Sequence, residues 1–389
     1  MNLPTFPTTK LDKDAVRIVQ KLQQSGYRAY LVGGCVRDSL LHITPKDFDV
    51  ATNATPEQIR SLFRNARIIG RRFRLVHIFF GKKEIQTATF RKKPIEESPS
   101  TQQNDDFSLS EIDAEQNSLL IVSDNTFGTE EQDAHRRDFT INGLFYDPIH
   151  EKLVDHVGGL LDLSNKQIRT IGDANIRFQE DPVRMLRAIR FAAKLGFDIE
   201  DNTYSALVQN AKGLLLSAKS RLLEELFRLL RCGQMGDAIC LLQESQLLTY
   251  FLPAWSTFYD KKAMEFDPFF RALDQLVQSG TEVYNSTLIA ALCGPALSFF
   301  FEANKEHKQP AWHKELQMIL EPLYDLPFYR RDTICLRHIL LTQKSTRQRA
   351  LFKNRKRKGK NKDTSLYFKE NEQFLDFYFA AQKLKNISN

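Results

Sequence analysis

The sequence predicts an α+β protein, with a small mixed β-sheet in its N-terminal part and an all-helical body after it. Up to about Asp155, short alternating or apolar runs are punctuated by glycine turns, the pattern of strands. After about Ile171 that pattern stops and long amphipathic periods replace it. Between Lys92 and about Asn117 the chain is rich in Ser, Gln, Asn, Glu and Asp. With so little to bury, that stretch reads as a flexible insertion (about residues 92–117) in the first region. A chain of 389 residues exceeds one ordinary core, and the expected divisions are 1–157, 158–235 and 236–389.

Each element follows from local chemistry. Lys13 to Gln24 has helical spacing, with Val16, Val19 and Leu22 on one face, and Gly26 ends it. Arg28 to Val32 reads as the first strand, and Gly33-Gly34 turns the chain into a short helix around Val36 to Leu41. Phe48 to Val50 starts the next strand. Thr55-Pro56-Glu57 is a helix start, combining a threonine cap, proline in the first turn and an acid near the positive helix end. Arg74 to Phe80 and Glu84 to Phe90 form a hairpin about Gly81-Lys-Lys83. A helix from Glu131 to Arg137 precedes two last strands, Leu144 to Tyr146 and Lys152 to Asp155. Helices at Pro182 to Leu195, Ser217 to Arg231 and Asp237 to Leu247 begin the body.

Composition excludes several classes. The start of the chain is polar and proline-broken, unlike a secretion signal, and the apolar run Leu288 to Phe301 is too short and interrupted to span a bilayer. Five scattered cysteines without ligand spacing read as reduced thiols, so a cytoplasmic protein with no membrane partner is expected. The net charge is +7, yet residues 344–362 hold ten Lys and Arg and no acid, so the rest of the chain sums to −3. That block is either a footprint for a phosphate backbone or a solvated loop.

The chemistry concentrates in Leu31-Val-Gly-Gly-Cys-Val-Arg-Asp38 and Asp47-Phe-Asp49. Residues two apart on an extended segment share a face, and two carboxylates that close repel unless a cation separates them. Beside a glycine turn the fitting cation is Mg²⁺ carrying nucleotide phosphates. Gly33 and Gly34 let backbone amides approach β- and γ-phosphates, and Arg37 supplies charge. The bland alternative is an acidic surface turn.

Five blocks in order decide between them: Leu31 to Asp38, Lys46 to Asn53, Gly70 to His77, Arg136-Arg-Asp-Phe-Thr-Ile-Asn142, and Glu180-Asp-Pro-Val-Arg-Met-Leu-Arg-Ala-Ile-Arg-Phe191. Together they closely resemble the bacterial poly(A) polymerases, a branch of the class II nucleotidyltransferases that also include the CCA-adding tRNA enzymes. The resemblance is strong over roughly residues 27–200 and looser beyond. It implies a polymerase-β-like catalytic head (1–157), a base-recognising helical neck (158–235) and an RNA-binding helical body (236–389). It implies an enzyme that adds AMP from ATP to single-stranded RNA 3′ ends, with Asp47 and Asp49 as catalytic metal ligands for Mg²⁺ or Mn²⁺.

Further roles are implied residue by residue. The Arg136–Asn142 block contacts the nucleotide: Arg136 and Arg137 suit phosphate oxygens, Asp138 reads the ribose hydroxyls, and Asn142 closes the motif. Asp181 and Arg184 offer an acceptor and a fork of donors that mimic a Watson–Crick edge, with Arg187 and Arg190 fixing geometry or phosphates. CCA-adding relatives read both CTP and ATP with the matching pair. Here the arginine-rich turn Arg71, Arg72 and Arg74 resembles the polymerase signature, which implies ATP alone. The basic tail is shorter than usual in such polymerases, implying low processivity or help from RNA-degradation or RNA-chaperone partners. One position departs: the polymerases carry a third acid where this chain has Gln86, and Glu84, two residues earlier, faces the same way.

Rival readings are a catalytically silent RNA-binding module, and a metal-dependent phosphohydrolase. The latter needs histidine–aspartate clusters, and His42, His77, His135, His150 and His156 are not spaced as a metal set.

Overall fold

The computed structural model describes residues 6–7, 11–70, 74–92, 126–298, 320–323, 326–351 and 368–388. Nearly all of the expected insertion, and Arg71 and Arg72, lie outside the described residues. Of the basic segment, residues 344–351 are helical backbone and 352–362 lie outside. The chain forms two compact units, Met1–Arg184 with Phe197–Gln209, and Met185–Gly196 with Asn210–Asn389.

The first unit opens with α1 (Lys13–Gln24), capped by the Asp12 carboxylate, which accepts from the amides of Asp14 and Ala15. Its buried face is Ala15, Ile18, Val19 and Leu22, so Val16 sits at the edge of the expected stripe. There follow β1 (Ala29–Val32), α2 (Gly34–Leu40), β2 (Asp49–Thr52), α3 (Pro56–Leu62), β3 (Ala66–Ile69), β4 (Leu75–Phe80) and β5 (Lys83–Thr89). Thr55 caps α3, as the Thr-Pro-Glu signature predicted, and Gln58 completes a reciprocal capping box with it. After α4 (Glu130–Arg136), β6 (Leu144–Asp147) and β7 (Lys152–Asp155) complete a seven-stranded sheet of order β3-β4-β5-β2-β1-β6-β7. Of its pairings, β2 with β5 is parallel and the others are antiparallel, hence a mixed sheet.

Register lines up one lateral row on a single face of this sheet. Phe145 pairs with Val32, Val32 with Asp49, His77 with Gln86 and Arg67 with His77. The parallel pairing of Val50 with Thr87 sets Asp49 beside Gln86. Toward β1 and β6 the row is apolar, and Val32, Ala51, Phe90 and Phe145 bury themselves with Ala134 of α4. Toward β4 it turns polar. Asp49 and Gln86 thus stand where one sheet face passes from covered to open.

The unit continues with α5 (Gly159–Ser164), β8 (Gln167–Ile168), α6 (Ala174–Glu180), the start of α7 (Val183–Leu195), β9 (Asp198–Ile199) and α8 (Asp201–Asn210). The pairing of β9 with β8 corrects the expectation that strands cease after Ile171. A strand of two residues is too short to display alternation.

The second unit is helical in its described residues. It includes α9 (Lys219–Leu230), α10 (Met235–Glu244), α11 (Leu247–Phe251), α12 (Pro253–Gln278), α13 (Asn285–Cys293), α14 (Arg330–Leu351) and α15 (Phe368–Ser388). Leu222, Leu223, Leu226, Leu229 and Leu230 line the buried stripe of α9. Trp255, Tyr259, Phe266 and Phe270 of α12 stack together, across a break at Lys262, and Trp255 Nε1 donates to the carbonyl of Leu292 at 2.8 Å. No described helix is long and apolar enough to cross a membrane, and all five cysteines are free thiols.

Candidate active site

The site grows from the turn after β1. Gly33 has φ of +73°, a backbone region closed to most side chains, and its amide donates to the carbonyl of Leu144 at 3.0 Å. A β-carbon here would lie 3.0 Å from Arg137 Nη1, so glycine is needed for conformation and for the close approach of that guanidinium. Gly34 then begins α2.

Arg37 projects inward rather than toward solvent. Its Nε and Nη2 donate to Asp38 Oδ1, and its Nη1 donates to Asn142 Oδ1. Both members of the pair are buried. Asn142 Nδ2 in turn donates to Asp138 Oδ1 at 3.0 Å, and the same oxygen accepts the Phe139 amide at 2.8 Å. The structure therefore gathers Arg37 with Asn142, 105 residues further on, and its near neighbour Asp138 into one hydrogen-bonded line beneath the glycine turn.

Arg136 and Arg137 end α4, and Asp133 anchors both. Asp133 Oδ1 accepts from Arg136 Nε at 3.2 Å, and Oδ2 accepts from Arg137 Nη2 at 3.0 Å. Arg137 also stacks over Phe145, with its guanidinium carbon 5.2 Å from the ring centre. Burial by itself would raise the Asp133 pKa, but the charges of Arg137 and Arg136 and the bonds from Arg137 and the Arg91 amide outweigh it and hold the carboxyl low. The sequence alone assigned Asp133 no role. Its spacing of three and four residues before the two arginines on one helix was the available signal.

Asp49 opens β2, and Asp47 precedes the strand on an exposed segment. Neither carboxylate has an ion pair among the described residues. Solvent reaches Asp49, yet surrounding atoms crowd its carboxyl; that lost hydration raises its pKa, Arg137 pulls it down, Asp47 pushes it up and His77 pulls it down. Gln86 and Glu84 share one face of β5, as their spacing predicted, and both are exposed, but Glu84 reaches His77, 3.2 Å from its Nδ1.

The described residues contain no group of three or more His, Cys, Asp or Glu fit to hold a metal, and the carboxylates open to an ion here are those of Asp47 and Asp49. That set suits a hard cation that keeps several waters and takes other oxygens from phosphates. An unpaired, crowded acid beside a second acid is the charge pattern such an ion neutralises.

A second cluster forms at the end of α6. Asp181 follows its last residue, and Arg184 is buried in the first turn of α7. Arg184 Nη1 donates to Glu180 Oε2 at 3.1 Å and to the carbonyl of Arg177 at 3.0 Å. Glu180, four residues before Arg184, is another participant whose role the sequence left open. Arg187 and Arg190 belong to the second unit, where Arg190 pairs with the buried Glu225 and both arginines flank the Phe191 ring. Phe139, Phe145 and Tyr146 are core residues.

Comparison with known proteins gives the relatives of this chain. Residues 29–169 match the family model of the poly A polymerase head domain, and residues 196–258 match that of the probable RNA and SrmB-binding site of polymerase A. Together, sequence and structure place the chain in the class II nucleotidyltransferase superfamily. Among curated relatives, it is 44% identical over 256 residues to poly(A) polymerase I of Haemophilus influenzae, covering 65% of this chain and 54% of that one. It is 37% identical over 251 residues to the CCA-adding enzyme of Leuconostoc mesenteroides, covering 64% and 58%. The chain thus spans about half the length of the curated relatives it matches. The crystal structure of the Bacillus stearothermophilus CCA-adding enzyme with CTP superposes with a TM-score of 0.53 at 25% identity, covering 88% of this chain and 99% of that one.

Proposed function

We propose that this chain is a template-independent polynucleotide adenylyltransferase, which transfers AMP from ATP to the 3′-hydroxyl of RNA and releases pyrophosphate. The observation that carries the reading is the convergence of Asp47 and Asp49, without ion pairs among the described residues, with the Gly33 turn and the Arg137 guanidinium. Asp47 and Asp49 would hold Mg²⁺, or Mn²⁺ in its place. The ion supplies a lowered pKa for the attacking hydroxyl and charge neutralisation for the leaving pyrophosphate. The chain's own groups do the positioning. Gly33 and Gly34 admit the phosphates close to the backbone, Arg137 faces them, and Asp138, fixed by Asn142 and Arg37, takes the ribose. Asp181 and Arg184 read the base, Arg187 and Arg190 support nucleotide geometry, and the segment 344–362 grips single-stranded RNA through its backbone. The boundaries 1–157, 158–235 and 236–389 for head, neck and body belong to the same proposal, as do a cytoplasmic location and partners from RNA degradation.

The polymerase reading is favoured by the identity margin, 44% against 37%. A CCA-adding activity with CTP and ATP is the second reading, favoured by the likeness to the CTP-bound enzyme. Extension of oligo(A) and of tRNA lacking CCA, each with ATP or CTP alone, separates them. We expect ATP to extend oligo(A) and CTP to extend neither; CTP incorporation onto the tRNA reverses the assignment.

A further inference from the structure

Arg177 belongs to none of the assigned positions, yet it joins the two clusters. It lies on α6 and is 2% exposed. Its Nη2 donates to the main-chain carbonyls of both Arg136 and Arg137, and its Nη1 donates to Glu180 Oε2 at 2.7 Å. The same carboxylate oxygen accepts from Arg184 Nη1. Two guanidinium groups therefore share one carboxylate, and one of them grips the backbone from which Arg137 and Asp138 project.

Burial pulls the Arg177 pKa down to about 10, with the charge of Arg184 acting the same way and Glu180 opposing, so the group stays charged near neutrality. The last carbonyls of α4 lack helical partners, and a cation at that helix end is favourable. A cap alone does not call for this arrangement, since one donor per carbonyl suffices. Holding two successive carbonyls at the end of α4 and a carboxylate of its own helix at once uses the fixed fork of a guanidinium. Buried ion pairs are often replaceable by apolar packing without loss of stability, which makes geometry the better reason for keeping this one.

We propose that Arg177 is a positioning residue that locks the phosphate-side block, Arg136 to Asp138, to the base-reading Arg184, so that base and triphosphate are selected as one rigid unit. This rests on the nucleotide-reading roles proposed above. The test is steady-state extension of oligo(A) with ATP, CTP and GTP by the full chain and by Arg177→Lys, alone and in an Arg184→Ala background, with melting temperatures measured in parallel. Lysine keeps the charge and loses the fork. We expect the KM for ATP to rise about tenfold and the preference for ATP over GTP to fall about tenfold, while kcat and the KM for RNA stay within about threefold. In the Arg184→Ala background the added loss of preference should be under about twofold, because the residue acts through that arginine. If Arg177→Lys fails to fold, Glu180→Gln, which keeps the shape and removes the shared charge, should give the same loss of preference. Unchanged KM and preference in a folded variant, or equal losses in the two backgrounds, overturn the positioning role alone. A native chain that incorporates no nucleotide, or all with equal preference, overturns instead the functional reading beneath it.

Discussion

Asp38 and Asp133 each hold an arginine, whereas Asp47 and Asp49 hold none among the described residues. That difference separates acids tied into the framework of the site from the two proposed to act in it. Asp49→Ala should therefore slow adenylate transfer by roughly 4–7 kcal/mol of barrier while leaving the melting temperature near that of the native chain. Primer extension beside a thermal melt checks both halves. Gln86 stands beside Asp49 with no charge of its own, and Gln86→Glu should lower the Mg²⁺ concentration for half-maximal turnover several-fold, read from a Mg²⁺ titration. Asp133 makes a pH prediction. Its folded pKa lies below the unfolded value, so its contribution is complete above about pH 4, where the unfolded carboxyl ionises, and disappears as pH falls through the folded value. The stability gap between native chain and Asp133→Asn should be constant from neutrality to about pH 4 and close below that, in urea melts across pH.

At the scale of elements, α4 matters most, because it presents Asp133, Arg136 and Arg137 on fewer than three turns. So short a helix depends on its ends. Thr129 and Gln132 form a capping box at one end, and Arg177 takes the carbonyls at the other. Thr129→Ala should cost about 1 kcal/mol of stability and raise the KM for ATP more than the KM for RNA, since α4 carries the arginines proposed to face the nucleotide. Denaturant melts and two-substrate kinetics read the two effects. The strand β2 performs the other placement. Its parallel pairing with β5 aligns Asp49 with Gln86, and its antiparallel pairing with β1 brings both beside the glycine turn.

For the whole molecule, the electrostatic division is clear: a body near neutrality and one basic segment. If that segment holds RNA by its phosphates, replacing Lys353, Arg355, Lys356 and Arg357 with glutamine should weaken binding of every RNA sequence alike. The slope of log affinity against log salt should become shallower by roughly 0.7 for each phosphate that is no longer neutralised. Filter binding at several salt concentrations measures it, and an unchanged slope removes the segment from the RNA site.

Much was legible in the chain itself. Glycine turns and alternation marked the hairpin of β4 and β5 and the last strands β6 and β7, and the Thr-Pro-Glu start marked α3, because these signals are local and decided within a few residues. The blocks around Gly33, Asp47, Arg136 and Asp181 likewise carried the superfamily. β3, β9 and the true buried stripe of α1 were not legible, since short strands and edge positions take their state from whatever packs against them. The parallel register that sets Asp49 beside Gln86, the inward turn of Arg37 and the meeting of Arg177 with two carbonyls were decided by tertiary structure. Each depends on groups distant along the chain, and a hydrogen bond across such a distance forms only once the fold has excluded water and fixed both partners.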